Sequence, residues 1–349
     1  MGALFSILTK QFLGIFLISA GVPAIALVVG VRALVVPQVP VVWSTIMDTG
    51  FLGPEWQAGL LVVAFLVVVS LLVSLNGPIT RLYEGYPLQR SRLGEWLRRR
   101  HETRVREAET WWNGTRTILR TIDRLDADPR PDRAAPDLAP ERIAELDTRW
   151  NRVGQLLPRK YPKPYRVLPT RLGNTMRAFE DYPRHKYGMY AVTLWPRLLT
   201  VVDARDVERI GSGKQPLDFM INSSLVSGIL ALLVLTTGLL WPEHQQGAVA
   251  WWTWGTLVST LTALAYAFYR LSIPPAMAWG ETVKAMFDVY RWRLLDRLEI
   301  AERPDSMDRE RQLWFRIGGH MLFGRKTTYG PLRYTRDEPP TESVHENGG

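Results

Sequence analysis

The chain contains no cysteine. That absence removes disulfides, thiol nucleophiles and thiolate-bound zinc or iron–sulfur centres together. Histidine is scarce as well. His101, His185, His244, His320 and His345 stand apart, with no HxxxH or HExxH spacing to place two imidazoles on one helix face. The sequence has no G-x-S-x-G elbow and no paired-carboxylate motif. Charge is missing from four long stretches: residues 11–31, 57–75, 221–241 and 248–269 hold no Asp, Glu, Lys or Arg. A helix of about twenty residues, rising 1.5 Å per residue, crosses a hydrocarbon core of about 30 Å. With no charged side chain inside these runs, no proton or ion relay is expected there, which argues against a coupled transporter.

What is present balances those apolar runs. Hydrophobic residues make up 46% of 349, yet mean hydropathy is only −0.07, so a large water-facing part must accompany the membrane part. The formal charge is +9 and the pI about 9.8. Beside apolar spans, that excess reads as Lys and Arg held on the cytoplasmic side rather than as a nucleic-acid surface.

The expected fold is an all-α integral membrane protein: two transmembrane helical hairpins, hence four spans, with a helical cytoplasmic domain between them. Residues 1–77 form the first hairpin, with spans at 11–31 and 57–75. Residues 78–218 form the cytoplasmic domain, with a loop at 128–140. Residues 219–272 form the second hairpin (spans 221–241 and 248–269), 273–317 cytoplasmic helices, and 318–349 a mostly disordered tail. Ala24-Ile25-Ala26 offers a signal-peptidase pattern, but the apolar run continues past it, so a span kinked at Pro23 is expected, with Arg32 snorkelling at the far interface. Asn76-Gly77-Pro78 reads as a helix stop, and Pro274-Pro275 as a break. Arg81, Arg90, Arg92, Arg270 and Lys284 flank the spans, and the outer loops nearly lack basic residues. Both termini and the middle segment are therefore placed in the cytoplasm.

In the middle segment Val105, Ala108, Trp112, Thr115, Leu119 and Ile122 form a heptad-like stripe. Beyond the proline-rich loop, Ile143, Leu146, Trp150, Val153 and Leu157 form another. Together they predict an antiparallel coiled-coil hairpin, buried stripe to stripe. Residues 158–169 hold four prolines and are expected to be non-helical. A helix is expected from Pro169 or Thr170 through Phe179, and another from Pro196 over 197–207. The run 187–195 fits strand or interfacial helix equally well.

Leu168-Pro169-Thr170-Arg171-Leu172-Gly173-Asn174, then Glu180-Asp181-Tyr182, Tyr187-Gly188 and Leu194-Trp195-Pro196-Arg197-Leu198, resembles a stretch shared by a group of uncharacterised bacterial multi-span membrane proteins. The resemblance covers under a tenth of the chain and implies a bacterial inner-membrane setting, with no activity attached. After the second hairpin, helices are expected over 279–300 and 308–317.

Gly211-Ser212-Gly213-Lys214-Gln215 imitates part of a phosphate loop. It has Glu208 where the first glycine belongs and Gln215 where Ser or Thr belongs, so nucleotide binding is not expected. Gly255, Ser259, Ala263 and Ala267 recur every fourth residue, as do Ser223, Ser227 and Ala231. Such ridges let helices approach closely in lipid. Candidate packing residues are therefore Gly255, Ser223, Ser227 and Ala231. Thr256, Ser259, Thr260 and Ala263 are the candidate pore lining, their hydroxyls otherwise bonding carbonyls one turn back. Arg98, Arg99, Arg100, Arg159, Lys160 and Lys163 are candidate contacts for anionic lipid or a partner.

Three functions fit. The first is a non-enzymatic, oligomeric, channel-like or membrane-perturbing unit controlled by its cytoplasmic helices. The second is a passive scaffold docking a cytoplasmic protein or anionic lipid. The third is a lipid-modifying enzyme using a polar cluster of Arg171, Asn174, Glu180 and Tyr187. The expected partners are the lipid bilayer, further copies of the chain and a cytoplasmic protein. No cofactor, metal or nucleic acid is expected.

Overall fold

A computed structural model describes residues 17–36, 39, 54–127, 139–241, 248–324 and 330–335. The expected outer loop, the 128–138 loop, the 242–247 turn and the end of the tail lie outside these residues, as does the start of the first span. Among the described residues the chain is all-helical. It runs α1 (Val22–Gly30), α2 (Pro54–Ser74), α3 (Asn76–Glu84), α4 (Arg92–Ala127), α5 (Pro140–Lys160) and α6 (Arg171–Tyr187). There follow α7 (Ala191–Leu198), α8 (Ala204–Leu240), α9 (Ala248–Leu271), α10 (Ile273–Arg297) and α11 (Met307–Phe323). Wide π turns, Leu17–Gly21 and Val31–Val35, extend α1 at both ends.

Among the described residues three helical stretches are long and apolar enough to cross a membrane: Ile18–Val35, Trp56–Ser74 and part of Ala204–Leu240. Four were expected. The fourth, α9, has the length, with 24 residues. Its tryptophans (Trp251, Trp252, Trp254) and hydroxyls make it markedly less apolar than the other three.

Two compact units form. The first comprises residues 1–107, 167–175 and 211–279, and its centre is the apolar part of α8. Leu217, Ile221, Val226, Leu230, Ala231 and Val234 are buried there, along with Asn222, Ser223, Ser224, Ser227 and Thr237. α9 runs antiparallel beside it. Phe219 meets Phe268 edge-on at 6.4 Å, the Ser224 hydroxyl donates to the Ala265 carbonyl at 2.8 Å, and the Trp254 indole donates to the Val234 carbonyl at 3.0 Å. As one number rises the other falls. Gly238 leaves room for that indole, and Gly30 brings α1 onto Leu230, whose carbons would lie 2.8 Å from an added Cβ. By contrast, α2 is almost wholly exposed, with Leu60, Val63, Val67 and Leu71 each more than half accessible.

Both proline motifs mark a break of a single residue, Leu75 and Ser272, after which a new helix starts at once. At Asn76-Gly77-Pro78 only Leu75 leaves helical geometry, and α3 begins at once. Pro274 and Pro275 lie in the first turn of α10, where a missing N–H costs nothing. The segment expected to form a polar cluster closes the α3 end instead. Gly85 caps α3 at φ +85°, the Thr170 hydroxyl accepts from Gly173 N at 3.0 Å, and Gly173 packs against the Glu84 carbonyl with no space for a side chain.

The second unit comprises residues 108–166, 176–210 and 280–349. Its core gathers Phe287, Leu294, Leu295, Leu313, Trp314, Ile317, Leu194 and Leu198, all nearly inaccessible. Gly188 at φ +77°, against the Arg311 carbonyl, ends α6. The run 187–195 is therefore no strand: Tyr187 closes one helix and Ala191 opens another. Pro196 lies inside α7, and the helix expected after it begins later, at Ala204. α6 runs past Phe179 through Pro183, and α5 runs past Pro158 to Lys160, each proline falling near a helix end where few ladder bonds remain to be lost. Trp112 and Trp150 stack at 5.3 Å and 5° between planes, and the Trp150 indole donates to the Trp112 carbonyl. The α5 stripe has the expected periodicity, but none of its residues is buried. α11 also continues past Ile317 to Phe323, with Gly318 taking the Tyr190 ring on its bare face. Residues 330–335 return along 299–301, with Ala301 N donating to the Arg333 carbonyl at 3.0 Å and Thr335 N to the Glu299 carbonyl at 2.8 Å.

Candidate functional site: a polar pocket beneath the apolar part of α8

α8 is continuous from Ala204 to Leu240, so the residues preceding its apolar run share its surface. Lys214, Asp218 and Asn222 fall at i, i+4 and i+8 and line one face. They meet Asn76 at the α2–α3 break and Ser19 in the first π turn. Together with Gln215 these groups line a pocket of about 230 Å³. Lys214 Nζ donates to Asn76 Oδ1 at 2.9 Å and lies 3.2 Å from an Asp218 carboxylate oxygen. Asn222 is 2% exposed, and its Nδ2 donates to the Ser19 carbonyl at 2.9 Å. Its Oδ1 is buried with no hydrogen-bond partner. Leaving such an acceptor unpaired costs about 1–3 kcal/mol, so a hydrogen-bond donor or cation reaching that oxygen would be stabilising.

Composition and run-length miss this cluster because Asp218 and Lys214 sit just before the charge-free stretch. The signal that finds it is helical: the Lys–Asp–Asn spacing of four residues continues into the apolar face.

The other candidates fall as follows. Thr256 and Thr260 are exposed, and their hydroxyls donate to the carbonyls of Trp252 at 2.7 Å and Thr256 at 2.8 Å. Ser259 and Ala263 share that exposed face. Ser223, Ser227 and Ala231 are buried, whereas an added Cβ at Gly255 would meet nothing. Arg98 and Arg99 pair with Glu102 and Glu95 on their own helix, and Arg159 pairs with Glu281 at 3.3 Å. Arg100 lies over the exposed Trp96 ring at 5.6 Å; Lys160 is half-buried and Lys163 exposed. Arg171 and Asn174 belong to the first unit, Glu180 and Tyr187 to the second. Asn174 is fully buried, with Oδ1 accepting from Leu168 N at 2.7 Å and Nδ2 donating to Leu168 O at 3.0 Å. The Arg171 backbone N donates to the Tyr269 hydroxyl at 3.1 Å. Glu180 faces Arg177 at 3.9 Å.

Tyr187 joins a second cluster. Its hydroxyl donates to Asp288 at 2.7 Å, the Tyr182 hydroxyl reaches the same carboxylate at 2.8 Å, and Lys186 lies 3.3 Å from it. Burial and the Asp288 charge push the Tyr182 hydroxyl up to about 12. Burial alone would lower the Lys186 ammonium, but the two tyrosines and Asp288 hold it above its ordinary value. All the carboxylate's neighbours are donors, so the cluster reads as a structural knot. His101, 6% exposed, is lowered to about 4 by burial and by the charges of Arg104, Arg171 and Arg100.

Among the described residues, fold and site together define an all-helical protein with three membrane-competent helical stretches and a pocket carrying polar groups beside the third. No family model, curated protein or solved structure matches the chain.

Proposed function

We propose that this is a non-enzymatic, four-span protein of a bacterial inner membrane, with α9 as its fourth span and both termini cytoplasmic. Its copies assemble into a channel-like unit that passes small ions under control of the cytoplasmic helices. The observation that carries this reading is the pocket of Lys214, Asp218, Asn222 and Asn76. It sets charged and amide groups at one end of the apolar part of α8, where such groups are costly and mark ion pathways. The exposed hydroxyl face of α9 supports the reading, since a pore between copies would cover it. Flux of a small cation from liposomes holding the purified protein tests it. Asn222→Leu, and separately Thr256→Leu with Thr260→Leu, should each lower the flux several-fold; flux unchanged in all of them sinks the reading.

A second reading, a scaffold docked on anionic lipid, draws on one feature. Leu93 and Trp96 are each more than half exposed on one face of α4, with Arg100 above the indole. Aromatic and basic groups so placed suit a headgroup layer. Under that reading Trp96→Ala releases the protein from its partner lipid, and the full protein conducts nothing.

A further inference from the structure

The pocket sets several oxygen-bearing side chains among the apolar walls of Ala20, Leu72 and Val73. Asp218 supplies a carboxylate, while Asn76 and Asn222 supply amide oxygens, and Ser19 and Gln215 stand beside them. Among the described residues Lys214 is the one cationic group in that lining. Its ammonium occupies the oxygens as a bound ion would, 2.9 Å from Asn76 Oδ1 and 3.2 Å from Asp218. It does not reach all of them. The Asn222 amide is locked by its donation to Ser19 O, which fixes Oδ1, and that oxygen is buried without a partner. From the same position the Lys214 ammonium also faces an aromatic ring. Its side chain is 31% exposed on a flexible stem, and its Nζ is 6.0 Å from the centre of the Trp279 ring, a face that attracts ammonium.

We infer that the pocket is a site for one monovalent cation of the potassium class, and that Lys214 is a tethered competitor for it. One carboxylate balances one positive charge, so the ion and the Lys214 ammonium exclude each other. When the ion enters, Asp218, Asn76 and Asn222 hold it, and Lys214 withdraws toward Trp279. A divalent transition metal is the wrong class, because among the described residues no three His, Cys, Asp or Glu side chains gather. The inference rests on the ion-passing reading of the same pocket and names its ligand.

The test is direct cation binding by the full-length protein in detergent, read as the thermal midpoint during KCl titration against N-methylglucamine chloride at constant ionic strength. Wild type should need high potassium for a saturable rise. Lys214→Met, which removes the competitor, should saturate at a concentration at least tenfold lower. Adding Asn222→Leu or Asp218→Asn to Lys214→Met should abolish the rise. No potassium-specific rise in Lys214→Met, or a rise that survives Asn222→Leu, overturns the site. If Lys214→Met does not fold, equilibrium binding of radioactive rubidium to wild type and Asn222→Leu decides: binding lost in the variant supports the site, and equal or absent binding overturns it. Binding without liposome flux removes the channel and keeps the site; flux without binding does the reverse.

Discussion

His101 is a neutral imidazole set where a proton is unwelcome, and acidification should show it. It is 6% exposed on α4, with Arg100, Arg104 and Arg171 nearby, and its pKa falls from 6.5 to about 4. In the unfolded chain it returns to about 6.5, so between these values the unfolded state binds the extra proton. Stability from this residue is complete above about pH 6.5, falls as pH drops toward 4, and is level again below. At 1.36 kcal/mol per unit the full loss is about 3 kcal/mol, with about 2 kcal/mol gone by pH 5. The assay is the thermal midpoint of detergent-purified protein from pH 7.5 to 4, compared with His101→Gln, which cannot take the proton. The wild-type midpoint should fall more steeply below pH 6.5, and the two profiles should run parallel above it. Parallel profiles over the whole range would refute the reasoning.

Three further outcomes follow from packing. Gly173→Ala puts a methyl group into the Glu84 carbonyl, which cannot yield; a loss of about 1–3 kcal/mol is expected in denaturant titration. Trp314→Ala empties the centre of the second unit and should cost about 3–5 kcal/mol, with α11 losing amide-exchange protection first. Trp150→Ala removes the stack on Trp112 and should raise exchange in α5 while leaving α8 unchanged.

Sequence reasoning reached the helices through their periods and the apolar stretches through their lack of charge. It went astray at some prolines. Pro158, Pro183 and Pro196 lie inside helices, where local rules cannot tell a stop from a tolerated ring, whereas Pro78 and the pair Pro274-Pro275 do follow a break and then open the next helix. Asn174 looked like chemistry and proved to be a brace, because its two bonds go to the backbone of a residue six positions earlier, Leu168, which no spacing rule announces. Asp218 and Lys214 escaped for the opposite reason: charge-free windows end where the useful charges begin. The α5 stripe shows a further limit. Periodicity tells which side of a helix is apolar, and only a three-dimensional neighbour tells how deeply that side is covered.

The widened turn at Leu17–Gly21 has a genetic corollary. The acceptor that Asn222 uses there is a main-chain oxygen, presented by winding rather than by residue type. Alanine scanning would pass over it, since Ser19→Ala leaves the oxygen in place. Only a change in chain length, one residue deleted between 17 and 21 to tighten the coil, would withdraw it.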